Sequence, residues 1–508
     1  MAALYSIARQ NANFQSDAQH SPRARLLLAS SFAIMLAHTL GVDRGRTNLE
    51  IRRVILIHPG RERKIGGRAA GAPYTLMRLA SLVPPEMPVE IWDENLGPLD
   101  SKFEQLGATD LVGITSKTLA IETAERFTSI AHRAGVKTVV VGGTHATLVP
   151  EDVARWADVV VTGEAYRTWP QIIRDAQGDA LSPRYDDTTW ADLAGVARIT
   201  ERVIDMVDEN RNYWTPMMEI TRGCPRNCSF CSAVRVSGQR MRLRPIDEVV
   251  EEIQRRRIRR FFLTDDNFGL AFRTHPEYIE QLFKALAPLP LIGWTAQAEM
   301  MVSEYPDLLD LARRAHLDKL FIGFESVNPD NRRDLGGKSK GLLTEYQSAI
   351  RAIHAHGITV AGLFVFGFDH DTPRTIVDTW DFIRSSRLDS ISMTVLTPFP
   401  GTPFCKQLAA EGRLLGKPWR YFDTSHVTYK PKLMTVTECE EAYDWFCRQA
   451  YAPLAIVRRS LRSVRDHPIR IAPMKTINNI RTDVGYRRAY AWRHVEGDQL
   501  LGMAHRAR

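Results

Sequence analysis

Cysteine is scarce in this chain. Six cysteines in 508 residues are too few to staple a disulfide scaffold, so the fold has to rest on packed cores. The scarcity is uneven: Cys224, Cys228 and Cys231 fall within eight residues, which points to a metal site in a reducing compartment. Internal repeats and low-complexity tracts are also absent, which excludes solenoid and tract-based architectures. Long apolar runs are nearly absent as well. One, from Arg25 to Val42, covers roughly 17 residues, the lower limit for a membrane span. It contains His38 and no second run follows. A membrane span or signal peptide would carry the thiols toward an oxidising compartment, so residues 1–50 are read as an extension with a packed helix or little order.

A strong charge of one sign is missing from most of the chain. The net +8 is concentrated at the end: from Arg448 to Arg508 there are 13 Arg plus Lys against 4 Asp plus Glu, a local +9 that leaves −1 for the rest. Such a tail suits nucleic acid, an anionic membrane surface or an acidic partner, and a solvated helical surface is the plainer account. With 44% hydrophobic and 25% charged residues the balance is globular rather than disordered, and the length allows about two to four domains.

What is present is an alternation of short apolar runs with helical segments. Val54–Ile57, Val89–Trp92, Leu111–Ile114, Thr138–Val141 and Val159–Val161 read as strands, with helices over Tyr74–Leu82 and Ile121–Ala134. That order predicts a parallel, doubly wound sheet whose ligands sit at the strands' carboxyl ends. Residues 181–212 read as a linker rich in Asp, Thr and Trp. A second series then predicts strands at Met217–Thr221, Arg260–Leu263, Ile292–Ala296, Lys319–Gly323, Thr359–Phe366 and Ser390–Leu396. Six such units fit a partial (β/α)6 barrel over 213–410, working at its carboxyl face. Residues 411–508 read as a mostly helical, basic region. The fold class is thus α/β: a Rossmann-like domain over 51–180, the partial barrel, and a helical C-terminal region.

The densest signal is Thr221-Arg222-Gly223-Cys224-Pro225-Arg226-Asn227-Cys228-Ser229-Phe230-Cys231, just after the first barrel strand. Thiolates suit iron-sulfur clusters or zinc. Closed zinc sites take four ligands, often as paired short spacings; no fourth Cys or His lies close by. A cluster filled by protein takes four cysteines, so three on one loop leave one iron open.

This C-x3-C-x2-C loop and the segments behind it resemble the radical S-adenosylmethionine superfamily, in the branch that carries a cobalamin-binding domain. The resemblance covers about residues 50–430. It implies a [4Fe-4S] cluster on Cys224, Cys228 and Cys231, with S-adenosylmethionine on the open iron. It also implies S-adenosylmethionine contacts from Phe230, from Asp265, Asp266 and Asn267 at the second strand end, from Gln297 at the third and from Glu325 in Gly323-Phe324-Glu325-Ser326. Gly362–Gly367 and Thr397–Pro403 resemble the fifth and sixth strand ends. In the N-terminal domain, Ile114–Thr118 with Ser116 and Lys117, Gly142-Gly143-Thr144-His145 and Gly163-Glu164 resemble cobalamin-contacting loops, with Pro59 after the first strand. The D-x-H-x-x-G motif whose His ligates cobalt is absent. His58 stands in its place without the Asp, and a His lacking its carboxylate orienter is read as a loop residue.

The resemblance implies a cobalamin-dependent radical C-methyltransferase acting on an unactivated carbon of a small-molecule or lipid-like intermediate. A cobalamin-dependent oxidase or cyclase is the alternative. It further implies a cytoplasmic enzyme and an electron donor such as flavodoxin or ferredoxin. Nucleic acid is not expected as a partner, because the second cluster and RNA-binding domain of methylthiolating enzymes are not apparent; peripheral membrane contact stays open for the tail. A cobalamin-binding sensor is disfavoured by the cysteine loop.

Overall fold

The run Val54-Ile55-Leu56-Ile57 is apolar at every position because β1 (Arg53–His58) is covered on both faces. Val54 and Leu56 enter one core, Ile55 and Ile57 the other. In the computed structural model the described residues are 50–60, 69, 71–187, 189–190, 192–196, 198–208, 213–335, 343–466, 477, 479–487 and 490. The apolar run Arg25–Val42 and most of the basic stretch after Asp466 lie outside them, and all described elements belong to one unit, Leu49–Arg508.

β1, β2 (Val89–Asp93), β3 (Asp110–Thr115), β4 (Thr138–Gly142), β5 (Val159–Gly163) and β6 (Arg184–Asp187) form one sheet in the order β2-β1-β3-β4-β5-β6. Every pairing is parallel. The helices α1 (Tyr74–Ser81), α2 (Ile121–Arg133), α3 (Thr144–Leu148), α4 (Thr168–Gln177) and α5 (Glu201–Asp208) cover it. α1, α4 and α5 contribute to one core and α2 and α3 to the other, which is the doubly wound arrangement. Strand order reverses between β1 and β3, where such sheets open a ligand crevice.

The expected linker 181–212 is corrected here. β6 pairs with β5 from Val160↔Arg184 to Gly163↔Asp187, and α5 buries Val203, Ile204 and Val207 in the core that holds α1. β6 is an edge strand with Tyr185 buried between exposed Arg184 and Asp186, so it lacks the apolar run that marks a central strand.

The second sheet orders β14 (Ser390–Val395), β13 (Thr359–Phe366), β12 (Leu317–Glu325), β11 (Gly293–Ala298), β10 (Arg260–Leu263) and β7 (Met217–Met218), all parallel. The helices α6 (Ile246–Arg255), α7 (Pro276–Leu286), α8 (Pro306–Arg314), α9 (Leu343–Ala355) and α10 (Pro373–Ser385) alternate with these strands. Trp294, Ala296, Leu320, Ile322, Phe364 and Phe366 join the core with those helices. By the period of two, Thr295, Gln297, Phe321, Glu325, Leu363 and Val365 take the inner face, and they are only half-buried. The expected first strand Met217–Thr221 is split. Met217–Met218 joins the barrel, while β8 (Thr221–Arg222) pairs antiparallel with β9 (Arg242–Leu243).

The C-terminal region becomes helical only at α11 (Val436–Ala450) and α12 (Pro453–Asp466). The stretch before them reaches the N-terminal domain. Trp419 Nε1 donates to Asp152 at 3.1 Å and Arg420 pairs with Glu122 at 2.7 Å. Among the described residues, no helix is long and apolar enough to cross a membrane.

Candidate active site

The cysteine loop leaves β8 through Gly223, whose φ is +88°; a Cβ there would lie 2.2 Å from the Arg240 carbonyl oxygen. Only glycine fits that approach. Cys224 and Cys228 are buried and Cys231 is half-buried. Among the described residues no three His, Cys, Asp or Glu side chains converge as one metal ion would require. Thiolates around a cluster stand further apart, because iron and sulfide lie between them.

The loop is tied down from several strand ends. Cys224 N–H donates to the Gly238 carbonyl at 3.1 Å, and Phe404 N–H, after β14, donates to the Ser229 carbonyl at 2.9 Å. Phe230 packs edge-on against Phe368, centroids 5.8 Å apart. Phe368 sits on a turn held by the buried Asp371, which accepts from the Gly367 and Phe368 amides at 2.9 and 3.0 Å.

The second strand end is built differently from the expectation that its carboxylates face S-adenosylmethionine. Asp265 is buried, and it accepts from Ile220 N–H at 3.0 Å and from Thr221 N–H and Oγ1 at 2.7 and 2.9 Å. Burial pushes its carboxyl up to about 8, against the pull of those donors. Asp266 accepts from Gly223 N–H at 2.9 Å. Both carboxyl groups therefore shape the base of the cysteine loop. Asn267 is the member that faces the cluster position: its Nδ2 lies 3.9 Å from Cys224 Sγ and donates to Glu299 Oε1 at 2.7 Å. Its Oδ1 is buried without a hydrogen-bond partner.

Glu299 also holds Arg226 through contacts of 3.0 and 2.5 Å. The Arg226 guanidinium is raised above its ordinary range by Glu299, with smaller contributions from Cys224 and Cys228. Neither Arg226 nor Glu299 stands out in the sequence as a site residue, because the pair is 73 positions apart. Gln297 and Glu325 do take the inner face of the barrel. Glu325 adopts φ +60° at a register shift between β12 and β13, the kind of backbone outlier that collects at functional sites.

In the N-terminal domain several expected cobalamin contacts are spent within the protein. Gly143, at φ +101°, brings backbone against backbone: a Cβ would lie 2.8 Å from Ser116 N. Ser116 N–H and Oγ both donate to the Gly142 carbonyl, at 2.7 and 2.9 Å. At Gly163 a Cβ would lie 1.8 Å from the Asp187 carbonyl oxygen, so this glycine admits β6. His145 is fully buried, with Nδ1 3.3 Å from Thr118 Oγ1 and Nε2 3.1 Å from Asp152. Burial lowers its imidazole to about 4 even with that carboxylate beside it. The neutral ring then donates from Nε2 to Asp152 and accepts at Nδ1. Lys117 is exposed and Thr144 half-buried at the rim, while Pro59 is buried.

His58 is likewise corrected: it has a carboxylate orienter after all. Its Nδ1 lies 3.3 Å from Asp93 Oδ1, contributed by the neighbouring strand β2. His58 is buried, and Asn95 and Tyr213 share the same carboxylate.

Glu164 is neither at the rim nor exposed. Its carboxylate receives Arg242 Nη1 and Nη2 at 2.8 and 2.5 Å, and Arg222 lies 3.4 Å away. Arg222 also donates to Tyr166 at 2.6 Å and pairs with Glu219, which Arg78 of α1 meets at 2.6 Å. These ion pairs bind the end of β5 to the two strands that bracket the cysteine loop.

The Radical SAM superfamily profile matches residues 218–383, the segment that holds this loop and four complete barrel strands, β10 to β13. The chain carries a radical SAM domain. It is 29% identical over 399 residues to the bacteriochlorophyllide d C-12(1)-methyltransferase of Chlorobaculum tepidum, covering 77% of this chain and 85% of that one. It is 24% identical over 360 residues to the hopanoid C-2 methylase of Rhodopseudomonas palustris, covering 68% and 65%. The fold is similar to that of the radical S-adenosylmethionine methyltransferase TsrM from Kitasatospora setae, solved with cobalamin and a [4Fe-4S] cluster bound. There the TM-score is 0.59 at 16% identity, over 85% of this chain and 99% of that one. It is also similar to the cobalamin-dependent S-adenosylmethionine radical enzyme OxsB, solved with aqua-cobalamin, at TM-score 0.62 and 14% identity over 90% and 82%. Both superpositions extend beyond the barrel, so this chain shares with them the sheet that precedes it.

Proposed function

We propose that this chain is a cobalamin-dependent radical S-adenosylmethionine methyltransferase, placing a methyl group on an unactivated carbon of a small-molecule or lipid-like intermediate. The observation that carries the reading is the junction of Glu164 with Arg242 and Arg222. It builds the carboxyl edge of the N-terminal sheet and the cysteine loop as one piece. Curated relatives named as methyltransferases support methyl transfer in particular.

The residues present suit the cofactors. Cys224, Cys228 and Cys231 would hold the [4Fe-4S] cluster, with one iron left for S-adenosylmethionine. The orphaned Oδ1 of Asn267 is an acceptor fitted to the ammonium of S-adenosylmethionine. Gln297 and Glu325 offer polar contacts on the inner face of the barrel. The loops after β3, β4 and β5, with Lys117 and Thr144 at the rim, would hold cobalamin. When bound, the cluster supplies the electron that cleaves S-adenosylmethionine and cobalamin carries the methyl group. The chain's own part is to hold these groups in register through the buried junction and to seal the cluster position with Phe230, Phe368 and Phe404.

A second reading is oxidative cyclisation, favoured by 26% identity over 360 residues to the anaerobic magnesium-protoporphyrin IX monomethyl ester cyclase of Cereibacter sphaeroides. Product analysis separates the two. A methyltransferase given its substrate and reductant forms both S-adenosylhomocysteine and 5′-deoxyadenosine, and C224A loses the latter. Turnover that yields 5′-deoxyadenosine without S-adenosylhomocysteine overturns methyl transfer in favour of cyclisation.

A further inference from the structure

Seven large apolar side chains stay exposed among the described residues, and three of them share one helix: Leu454, Val457 and Leu461 of α12, exposed by 60%, 49% and 65%. Their spacing of three and four residues places them on a single stripe. The helix cannot roll to hide them, because its opposite face is fastened. Ile456, Arg459, Ser460 and Ser463 are buried. Arg459 pairs with Asp483 at 2.7 Å and Ser463 Oγ donates to Asp389 at 2.5 Å. Arg458 is exposed beside the stripe, and half-buried Arg462 follows Leu461.

The charge around the stripe is one-sided. α12 sets exposed Arg458 and half-buried Arg462 beside it, with no acidic residue from Pro453 to Arg465, within the stretch that holds a local +9 while the rest of the chain is −1. An apolar stripe rimmed by arginine on a rigid helix matches an interfacial bilayer-binding face. A two-fold contact between copies would set these positive helices against each other.

We propose that α12 docks on an anionic lipid bilayer. Leu454, Val457 and Leu461 enter the boundary between headgroups and acyl chains, and Arg458 and Arg462 meet lipid phosphates. The proposal does not rest on the catalytic reading, and its test needs no turnover. Full-length protein is floated with vesicles of phosphatidylcholine, with and without phosphatidylglycerol. Wild type should rise with the mixed vesicles, much less with pure phosphatidylcholine, and less at high salt. L454Q/V457Q/L461Q and R458Q/R462Q should each lower the partition coefficient about tenfold or more. Thermal unfolding of both variants should match wild type; if one is destabilised, L461Q and R458Q alone carry the test. No flotation, or flotation unchanged in the variants, overturns the proposal. So does a wild-type dimer that L461Q separates, which would assign the stripe to a second copy.

Discussion

Glu164 and Arg242 meet bidentately at 2.8 and 2.5 Å with both side chains buried, 78 residues apart in sequence. One stands at the end of the N-terminal sheet and the other on the strand that brackets the cysteine loop. Removing one partner leaves a buried charge uncompensated, which typically costs about 3–5 kcal/mol. E164Q should therefore lower the urea midpoint clearly. E164Q/R242M should recover part of the loss, because the stranded guanidinium goes with its partner. If E164Q unfolds like wild type, the junction does not hold the two halves together.

Arg226 tests the electrostatics of the cluster position. Its charge lies close enough to Cys224 and Cys228 for their thiolates to raise its pKa, and Glu299 fixes it in place. Reduction adds negative charge to the cluster, so a nearby cation favours the reduced state. R226Q should make the reconstituted cluster harder to reduce, read as a lower midpoint in an electron paramagnetic resonance titration. An unchanged midpoint would separate Arg226 from the cluster.

Strands with two covered faces, such as Val54–Ile57 and Val159–Val161, are readable from local pattern alone, as is the cysteine loop. β6 was not, because an edge strand needs only Tyr185 and Asp187 buried. The site divides in the same way. Cys224, Cys228 and Cys231 are fixed by spacing on one loop. The work of Asp265, Glu164 and His145 depends on partners brought in by the fold: Thr221 and Arg242 from distant strands, and Asp152 from the short helix seven residues on. A carboxylate at a strand end reads the same in sequence whether it faces a ligand or fastens a loop. Packing decides between the two, as it does for His58, whose orienting carboxylate comes from β2 rather than from its own loop.

The glycines of the N-terminal loops should rank by what a Cβ would strike. At Gly163 it meets the Asp187 carbonyl oxygen at 1.8 Å with φ +81°; at Gly143 it meets Ser116 N at 2.8 Å with φ +101°; at Gly142 it stands 3.4 Å from the Val161 side chain. Strained backbone of this kind costs on the order of 1–3 kcal/mol before any clash. Thermal unfolding should order the variants G163A, G143A, G142A from most to least destabilised. G142A falling below G163A would contradict this account of β5 and β6.

Asp265 gives the fold a pH dependence whose sign can be worked out. Its carboxyl is ordinary in the unfolded chain and raised to about 8 in the folded protein, burial outweighing the donors from Ile220 and Thr221. Between those values the folded state binds the extra proton, so this group's contribution to stability falls as pH rises and levels off above about 8. D265N keeps an acceptor for one donor and cannot ionise. At pH 5 it should be the less stable protein, because it loses hydrogen bonds at the base of the cysteine loop. As pH is raised toward 8 the gap should narrow, since only wild type bears the cost of an ionising buried carboxyl. Urea unfolding of both proteins across that range decides the matter. A gap that stays constant with pH would mean that the three donors win and Asp265 is a carboxylate throughout.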